Sequence, residues 1–335
     1  MTQMTAMTET NDALIRFLLE TSGVRGVLVR LTDTWAAVRA RTDYPAPVAT
    51  CLGETLAATA LMTGHAKVDG RLSVQLRGTG ALRSLFAECT RDGTLRGLAR
   101  YSEPLPDPLT PRAFGEQSLL AITIETIALG AHEGTRYQGL VGLDADTLSE
   151  AFEGYFAQSE QLPTRMLLAA NQHASVGLML QKLPGQTGDT DGWQRASAVF
   201  ETLGRDELLA TPPTDLLFRL FHEDGVRLLD TRPLRFGCSC SRKRVAAMLH
   251  GLGREEALAA VAHGHGSVHP AVGSALPPVG SALPPVAEVA AEEQHQAQTA
   301  EVVCEFCGQA YRLAREEVMA LFEQVPTAPA PGTLH

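Results

Sequence analysis

Long apolar runs and targeting segments are absent from this 335-residue sequence. No run of about eighteen apolar residues occurs, so we expect no transmembrane helix and no membrane partner. Residues 1–12 (MTQMTAMTETND) lack the basic and apolar regions of a signal peptide. We therefore expect a cytoplasmic protein. Its six cysteines are too few for a disulfide scaffold, so we expect metal ligands, redox centres or buried apolar side chains.

An excess of positive charge is also absent. The 28 Lys and Arg residues against 38 Asp and Glu residues give a net charge of −10, whereas nucleic-acid-binding proteins are usually basic. The signatures G-x-x-x-x-G-K-[ST], G-x-G-x-x-G, H-E-x-x-H and G-x-S-x-G do not occur. We expect neither a nucleic-acid partner nor an enzyme.

The N-terminal part of the chain has the pattern of an α+β domain, which we assign to residues 13–185 after a disordered N-terminus at 1–12. Residues 47–64 begin with Pro, are rich in Ala and Leu and end with Gly, which predicts a helix. A second, amphipathic helix is predicted at 147–161. Asp92-Gly93 between two strand-like runs indicates a hairpin. Further strands are predicted at 25–32, 72–76, 121–128, 137–143, 164–170 and 175–183.

Residues 186–234 predict a helical linker, which opens with a turn-rich stretch. Three short helices are expected, at 193–203, 206–210 and 214–222, with Thr214 as a possible cap of the last. That helix carries an apolar stripe at helical spacing, formed by Leu216, Leu217, Leu220 and Phe221. The stripe either packs permanently on the first domain or packs there only conditionally.

Four of the six cysteines lie in a small C-terminal module, residues 235–325. Cys238 and Cys240 form a C-x-C pair, and Cys304 and Cys307 form a C-x-x-C pair. Two close thiolate pairs suit one tetrahedral zinc ion, closed at four ligands and therefore structural or switching rather than catalytic. Two ordinary disulfides, or buried apolar thiols, are the alternatives. Cys51 and Cys89 lie in apolar runs and are expected to be buried.

The residues around the cysteines suggest that such a site could be redox-sensitive. Each pair could close a local disulfide, and Arg242, Lys243 and Arg244 would favour thiolates, the species that oxidants attack. The same residues also fit the exposed start of a helix capped by Ser241. Structural zinc binding contributes about 10–16 kcal/mol to the folding of small modules, so oxidation would release zinc and unfold this one.

A low-complexity insert separates the two cysteine pairs. Residues 263–300 are rich in Gly, Pro, Ala and His and contain GSALPPV twice, at 273–279 and 280–286. We expect a flexible segment there and a disordered tail at 326–335. Metal binding by His263, His265 and His269 is conceivable, but four sulfurs already complete a site.

Together with the cysteine pattern, several segments resemble the heat shock protein 33 family of redox-regulated holdase chaperones. The resemblance covers about residues 13–325, apart from the insert, which is longer than the corresponding family segment. The segments that carry it are DYPAPV at 43–48, VQLRGTG at 74–80, RGLAR at 96–100, RYQGLVGL at 136–143 and YFAQSEQLPTR at 155–165.

This resemblance implies an ATP-independent chaperone. It implies one zinc ion per reduced chain, bound by the four cysteines, and oxidation to Cys238–Cys240 and Cys304–Cys307 disulfides with release of the metal. The module and the linker would then lose structure and expose apolar surface to unfolding client proteins, and the active form would be a homodimer.

Two other functions fit the cysteine pattern less well. A constitutive zinc ribbon could dock RNA or a ribosomal partner through the SRKR sequence with Arg312 and Arg315, but the acidic charge opposes it. A zinc enzyme would need an open coordination position, which four thiolates do not leave.

Overall fold

Two antiparallel sheets enclose a buried helix in the larger part of the chain. The structure, a computed structural model, describes residues 12–65, 69–126, 134–185, 189–262 and 299–323. The chain divides after Cys238 into a first unit, residues 1–238, and a second unit, residues 239–335. The sequence predicted α+β, and the mixed helix-and-strand fold confirms this class.

The described part of the first unit holds eleven strands and six α-helices. The strands are β1 (Asp12–Leu19), β2 (Val24–Leu31), β3 (Gly70–Arg77), β4 (Leu82–Thr90), β5 (Thr94–Tyr101), β6 (Leu119–Thr126), β7 (Arg136–Gly142), β8 (Thr164–Ala170), β9 (Ser175–Lys182), β10 (Val226–Pro233) and β11 (Arg235–Phe236). The helices are α1 (Asp33–Arg39), α2 (Ala46–His65), α3 (Leu148–Tyr155), α4 (Gly192–Glu201), α5 (Arg205–Ala210) and α6 (Pro213–Phe221).

The strands form one five-stranded and one six-stranded sheet. Their orders are β10-β1-β2-β9-β8 and β11-β5-β4-β3-β6-β7. All recorded pairings are antiparallel except that of β11 with β5, which is parallel. The predicted hairpin at Asp92-Gly93 joins β4 to β5, and Gly93 has the positive φ, +76°, that such a turn favours.

Helix α2 lies between the two sheets and forms the centre of the core. Of its 20 residues, 16 are buried, against strands of both sheets. A helix that is apolar all round is stable only when enclosed in this way. The buried hydroxyls of Thr55, Thr59 and Thr63 each donate to the carbonyl four residues earlier, so these polar groups are satisfied inside the helix.

The two cysteines outside the pairs are buried, as predicted. Cys51 on α2 and Cys89 on β4 have little or no exposed surface. Burial raises the pKa of Cys51 to about 12 and that of Cys89 to about 11. Both thiols therefore stay protonated at neutral pH and are poor nucleophiles.

Strand β1 begins inside the predicted disordered N-terminus. Asp12, which the sequence analysis placed there, is the first residue of β1, and residues 1–11 lie outside the described part of the chain. The Asp12 carboxylate accepts hydrogen bonds from the backbone N–H of Thr32 at 2.6 Å and of Thr34 at 2.7 Å. These bonds fix the start of the strand against the start of α1.

The predicted linker belongs to the first unit, where it packs on the five-stranded sheet. We call its residues 189–233 the linker segment. Helices α4, α5 and α6 match the three predicted helices, but residues 226–233 form β10, an unpredicted strand that pairs with β1. Thr214 does not cap α6, because the helix begins one residue earlier, at Pro213, and Pro212 is the N-cap.

The second unit is small. It contains α7 (Arg242–Leu252), α8 (Arg254–Ala262), a hairpin of β12 (Thr299–Val303) and β13 (Ala310–Ala314), and α9 (Arg315–Glu323). The first two residues of β12, Thr299 and Ala300, were predicted to belong to the insert. The rest of the insert, with the three histidines considered above as metal ligands, and the predicted tail lie outside the described residues. Among the helices described, none has the length and apolarity to cross a membrane.

Candidate metal centre

The sulfur atoms of Cys238, Cys240, Cys304 and Cys307 lie close together. All four are within 4.8 Å of one another, and the Cys240 and Cys307 sulfurs are 3.3 Å apart. No disulfide joins them. The structure thus brings together all four residues that the sequence predicted as ligands.

Short elements with defined ends position each cysteine. Cys238 follows β11, and Cys240 directly precedes the Ser241 cap of α7, whose hydroxyl accepts from the backbone N–H of Arg244 at 3.3 Å. The predicted cap is therefore confirmed. Cys304 follows β12, and its carbonyl accepts from Gly308 N–H at 2.7 Å in a turn where Gly308 has φ +72°. That left-handed residue lets the chain turn tightly beneath the second pair.

The donor set fits a tetrathiolate metal ion. With zinc–sulfur bonds of about 2.3 Å, the sulfurs of a tetrahedral site lie about 3.8 Å apart, close to the spacing of this cluster. Soft thiolates select zinc over calcium or magnesium. The four cysteines could therefore hold one zinc ion.

Arg96 and Tyr311 donate hydrogen bonds to the sulfurs of the first cysteine pair. Arg96 Nη1 lies 3.5 Å from Cys238 Sγ, and the Tyr311 hydroxyl lies 3.1 Å from Cys240 Sγ. The bond to Cys240 is the main reason that the pKa of Tyr311 is raised to about 12. Burial alone would lower the pKa of Arg96, but the adjacent Glu88 carboxylate and the Cys238 sulfur raise it. Arg96 therefore remains a cation beside the sulfur.

Arg242 and Arg244, two of the basic residues after Cys240, contact protein groups of the second unit. Arg242 pairs with both carboxylate oxygens of Glu317 at 2.7 Å and donates to the Arg312 carbonyl at 2.9 Å. Arg244 donates to the Ser239 carbonyl at 3.0 Å. The pKa of Glu317 is lowered first by a backbone bond from Ala314 and then by Arg242. These contacts favour the interpretation of SRKR as a helix start.

The apolar stripe of α6 is buried against the first sheet. Leu216, Leu217 and Phe221 are each 1% exposed, and Leu220 is partly buried in the same cluster. The Phe221 ring stacks on that of Phe17 in β1 with centroids 6.4 Å apart. In this state three of the four residues are buried and Leu220 is partly buried. The stripe as a whole could therefore bind a partner only after α6 leaves the sheet.

Two buried carboxylates connect the linker segment to the core. Glu54 of α2, 5% exposed, pairs with Arg205 at the start of α5. Burial raises the pKa of Glu54, and Arg205 opposes that rise. Asp224, also buried, accepts from Ser22 in the β1–β2 turn and from Arg195 Nη2 of α4 at 2.7 Å.

Sequence reasoning missed Arg96, Glu88 and the two carboxylate pairs. One signal was available for Glu88 and Arg96. Both lie four residues from residue 92 in the predicted hairpin, so they are expected to face each other on neighbouring strands. They are indeed paired in the register of β4 with β5. The Glu54–Arg205 and Asp224–Ser22 pairs join residues far apart in the sequence and had no local signal.

Comparison with known proteins places the chain among relatives that share its sequence and fold. The family model described as "Hsp33 protein" matches residues 12–269. The 33 kDa chaperonin of Nitrosococcus oceani is 38% identical over 325 residues, covering 97% of this chain and 99% of that protein. The 33 kDa chaperonin of Pseudomonas savastanoi pv. phaseolicola is 44% identical over 262 residues, covering 77% of this chain and 86% of that protein.

A solved structure shares the fold. The crystal structure of the 33 kDa chaperonin (heat shock protein 33 homolog) of Thermotoga maritima has a TM-score of 0.71 and 21% identity, covering 93% of this chain and 97% of that one. The family model ends before the second cysteine pair, but the alignment with the Nitrosococcus protein covers nearly the whole chain. The chain belongs to the Hsp33 family of chaperones.

Proposed function

We propose that this protein is a redox-regulated, ATP-independent holdase chaperone of the cytoplasm. In the reduced state its four cysteines hold one zinc ion, and the linker segment covers the first sheet. Under oxidative stress the protein loses the zinc, opens, dimerises and binds unfolding client proteins, which prevents their aggregation. The convergence of four thiols on one point, within 4.8 Å, carries this proposal.

The chemistry of the switch follows from the two cysteine pairs. Zinc, when bound, would cross-link residues 238–240 to residues 304–307 through one lone pair of each cysteine sulfur. A thiolate that attacks hydrogen peroxide becomes a sulfenic acid and releases hydroxide, and the neighbouring thiolate then displaces a second hydroxide to form the disulfide. Two such reactions give Cys238–Cys240 and Cys304–Cys307, neither of which can bind a metal.

The second unit depends on this cross-link because its apolar core is small. The buried core of its described part has eight residues: Val245, Leu249, Ala257, Val261, Ala300, Val302, Leu313 and Val318. A core of this size rarely contributes more than about 3–5 kcal/mol, less than the zinc contribution of about 10–16 kcal/mol. Loss of the metal therefore unfolds the unit.

Opening of the linker segment would supply the client-binding surface. Release of the linker segment would expose the apolar stripe together with sheet residues of the same buried cluster, including Phe17, Leu28 and Leu178. Contiguous apolar surface of this kind binds the exposed cores of unfolding proteins without specificity for sequence.

The experiment that tests this function is an aggregation assay on the full chain. Peroxide treatment of the reduced, zinc-loaded protein is expected to turn on suppression of aggregation of a heat-denatured test protein, with no ATP present. Re-reduction with zinc is expected to turn it off again. An oxidised, zinc-free protein that leaves aggregation unchanged would refute the holdase function.

Arg205→Ala is expected to loosen the linker segment without touching the metal site. The change leaves the Glu54 carboxylate buried without this cation, at a cost of about 1–3 kcal/mol. Hydrogen exchange in residues 189–233 of the reduced protein is expected to rise by about tenfold or more, with one zinc retained. Glu54→Gln in the same chain should recover part of the protection, because a neutral amide is cheaper to bury.

Arg219→Ala is the matched control for this change. Arg219 pairs with Glu207 at 3.1 Å, and both residues belong to the linker segment, where Arg219 is exposed and Glu207 is half-buried. Such surface pairs contribute about 0–1 kcal/mol, so exchange should stay near the wild-type rate. Equal exchange in the two arginine variants would show that Glu54 and Arg205 do not hold the linker segment closed.

A further inference from the structure

The Arg96–Cys238 and Tyr311–Cys240 contacts have no part in the switch as proposed so far. We propose that Arg96 and Tyr311 are positioning residues that shield the first cysteine pair from oxidants and so raise the oxidant level at which this pair reacts. The inference rests on the proposed redox function, but it can be tested separately.

Arg96 is fixed in place by the strands around it. The parallel register of β11 with β5, Arg235 opposite Thr94 and Phe236 opposite Leu95, places Cys238 beside Arg96. Gly237 N–H extends this pairing with a 3.0 Å bond to the Leu95 carbonyl. The sulfur and the guanidinium are therefore brought together by backbone pairing, and not by two mobile side chains.

A largely buried carboxylate orients the guanidinium. Glu88 Oε1 accepts from Arg96 Nε and Nη2, both at 3.0 Å, and Arg71 lies 3.6 Å from the other Glu88 oxygen. The side chains of Arg96 and Glu88 are 12% and 7% exposed. With two of its nitrogens held by Glu88, the guanidinium directs Nη1 toward Cys238 Sγ, 3.5 Å away.

Tyr311 plays the equivalent part for the second sulfur of the pair. It lies on β13, opposite Val302 of β12, and its hydroxyl donates to Cys240 Sγ at 3.1 Å. Arg96 on β5 thus donates to one sulfur of the first pair, and Tyr311 on β13 donates to the other.

A hydrogen bond to a thiolate sulfur withdraws electron density from the lone pair that attacks an oxidant. The rate at which a thiolate attacks falls with its basicity, by about threefold for each tenfold gain in acidity of the thiol. A metal-bound thiolate is already deprotonated, so donors to the sulfur only slow its reaction. Arg96, as a cation, also offsets the negative charge of four thiolates around one divalent ion, as outer hydrogen bonds commonly do at metal sites.

The test is alkylation of the reduced, zinc-loaded full chain with iodoacetamide, resolved by cysteine with mass spectrometry. In Arg96→Ala the rate at Cys238 is expected to rise about threefold to tenfold, with Cys304 unchanged. Arg96→Lys should restore part of the shielding because it keeps the charge. Arg100→Ala, an exposed arginine on the same strand, is the matched control and should leave all four rates unchanged.

Tyr311→Phe tests the same idea while keeping the aromatic ring. The rate at Cys240 is expected to rise and the rate at Cys238 to stay constant. With Co²⁺ in place of zinc, each variant is also expected to shift the sulfur-to-cobalt charge-transfer band, which a purely structural change at a distance would not do.

The outcomes separate this inference from the holdase proposal. Unchanged rates at Cys238 in Arg96→Ala and at Cys240 in Tyr311→Phe would overturn the shielding. If Arg96→Ala does not fold, Tyr311→Phe alone decides. The alkylation pattern does not depend on client binding, so failure of the aggregation assay with the expected pattern would remove the holdase function and leave the shielding in place.

Discussion

Cys304→Ser is expected to abolish tight zinc binding and to unfold the second unit under fully reducing conditions. A serine hydroxyl is a poor replacement for a thiolate ligand, and the zinc contribution of about 10–16 kcal/mol is also the folding free energy of a small module. Metal analysis should fall from about one zinc per chain to nearly none. Hydrogen exchange in residues 239–262 and 299–323 should approach the rate of an unfolded chain.

Cys51→Ala is the matched control for this substitution. Cys51 is buried on α2, far in sequence from the cluster, and loses only a thiol from an apolar site. One zinc per chain and normal exchange in the second unit are expected. A Cys304→Ser protein that keeps its full zinc content, or loses it without faster exchange, would contradict the role given to the four cysteines.

Phe221→Ala is expected to release the linker segment while zinc stays bound. Phe221 is 1% exposed and packs on Phe17, and truncation of a buried phenylalanine costs about 3–5 kcal/mol. The reduced variant should show rapid exchange in residues 189–233. It should also suppress aggregation without any oxidant, because the apolar surface is then open in the reduced state.

Phe218→Ala provides a control three residues away on the same helix. Phe218 is 63% exposed, so its removal should change stability by no more than about 0.5 kcal/mol. If Phe221→Ala also leaves exchange and aggregation at the wild-type level, the stripe does not keep the linker segment closed.

Local patterns predicted the elements that carry their own signals. The proline at the start, the Ala and Leu content and the glycine at the end predicted helix α2, and Asp92-Gly93 predicted the β4–β5 hairpin. The two cysteine pairs predicted a common site because two closely spaced pairs of thiolates are typical of one tetrahedral metal site. The long insert between the two pairs does not argue against a common site, because the entropy cost of closing a loop grows only slowly with its length.

The missed elements depend on distant pairing. Strand β1 is apolar at nearly every position and shows no alternation, because both of its faces are covered, by the core and by the linker segment. Strand β10 is mostly exposed and is a strand only through its pairing with β1. The Arg96–Cys238 contact depends on the parallel pairing of β11 with β5, which no local pattern in the sequence specifies.

The most direct test follows zinc release, free thiols and hydrogen exchange together while the reduced full chain is titrated with peroxide. The account predicts that one zinc leaves as thiols are consumed and that residues 239–262 and 299–323 then lose protection. Residues 189–233 should lose protection from hydrogen exchange next, while β3, β4 and β6 stay protected. Zinc release with the second unit still protected from exchange, or loss of protection with all thiols intact, would contradict it.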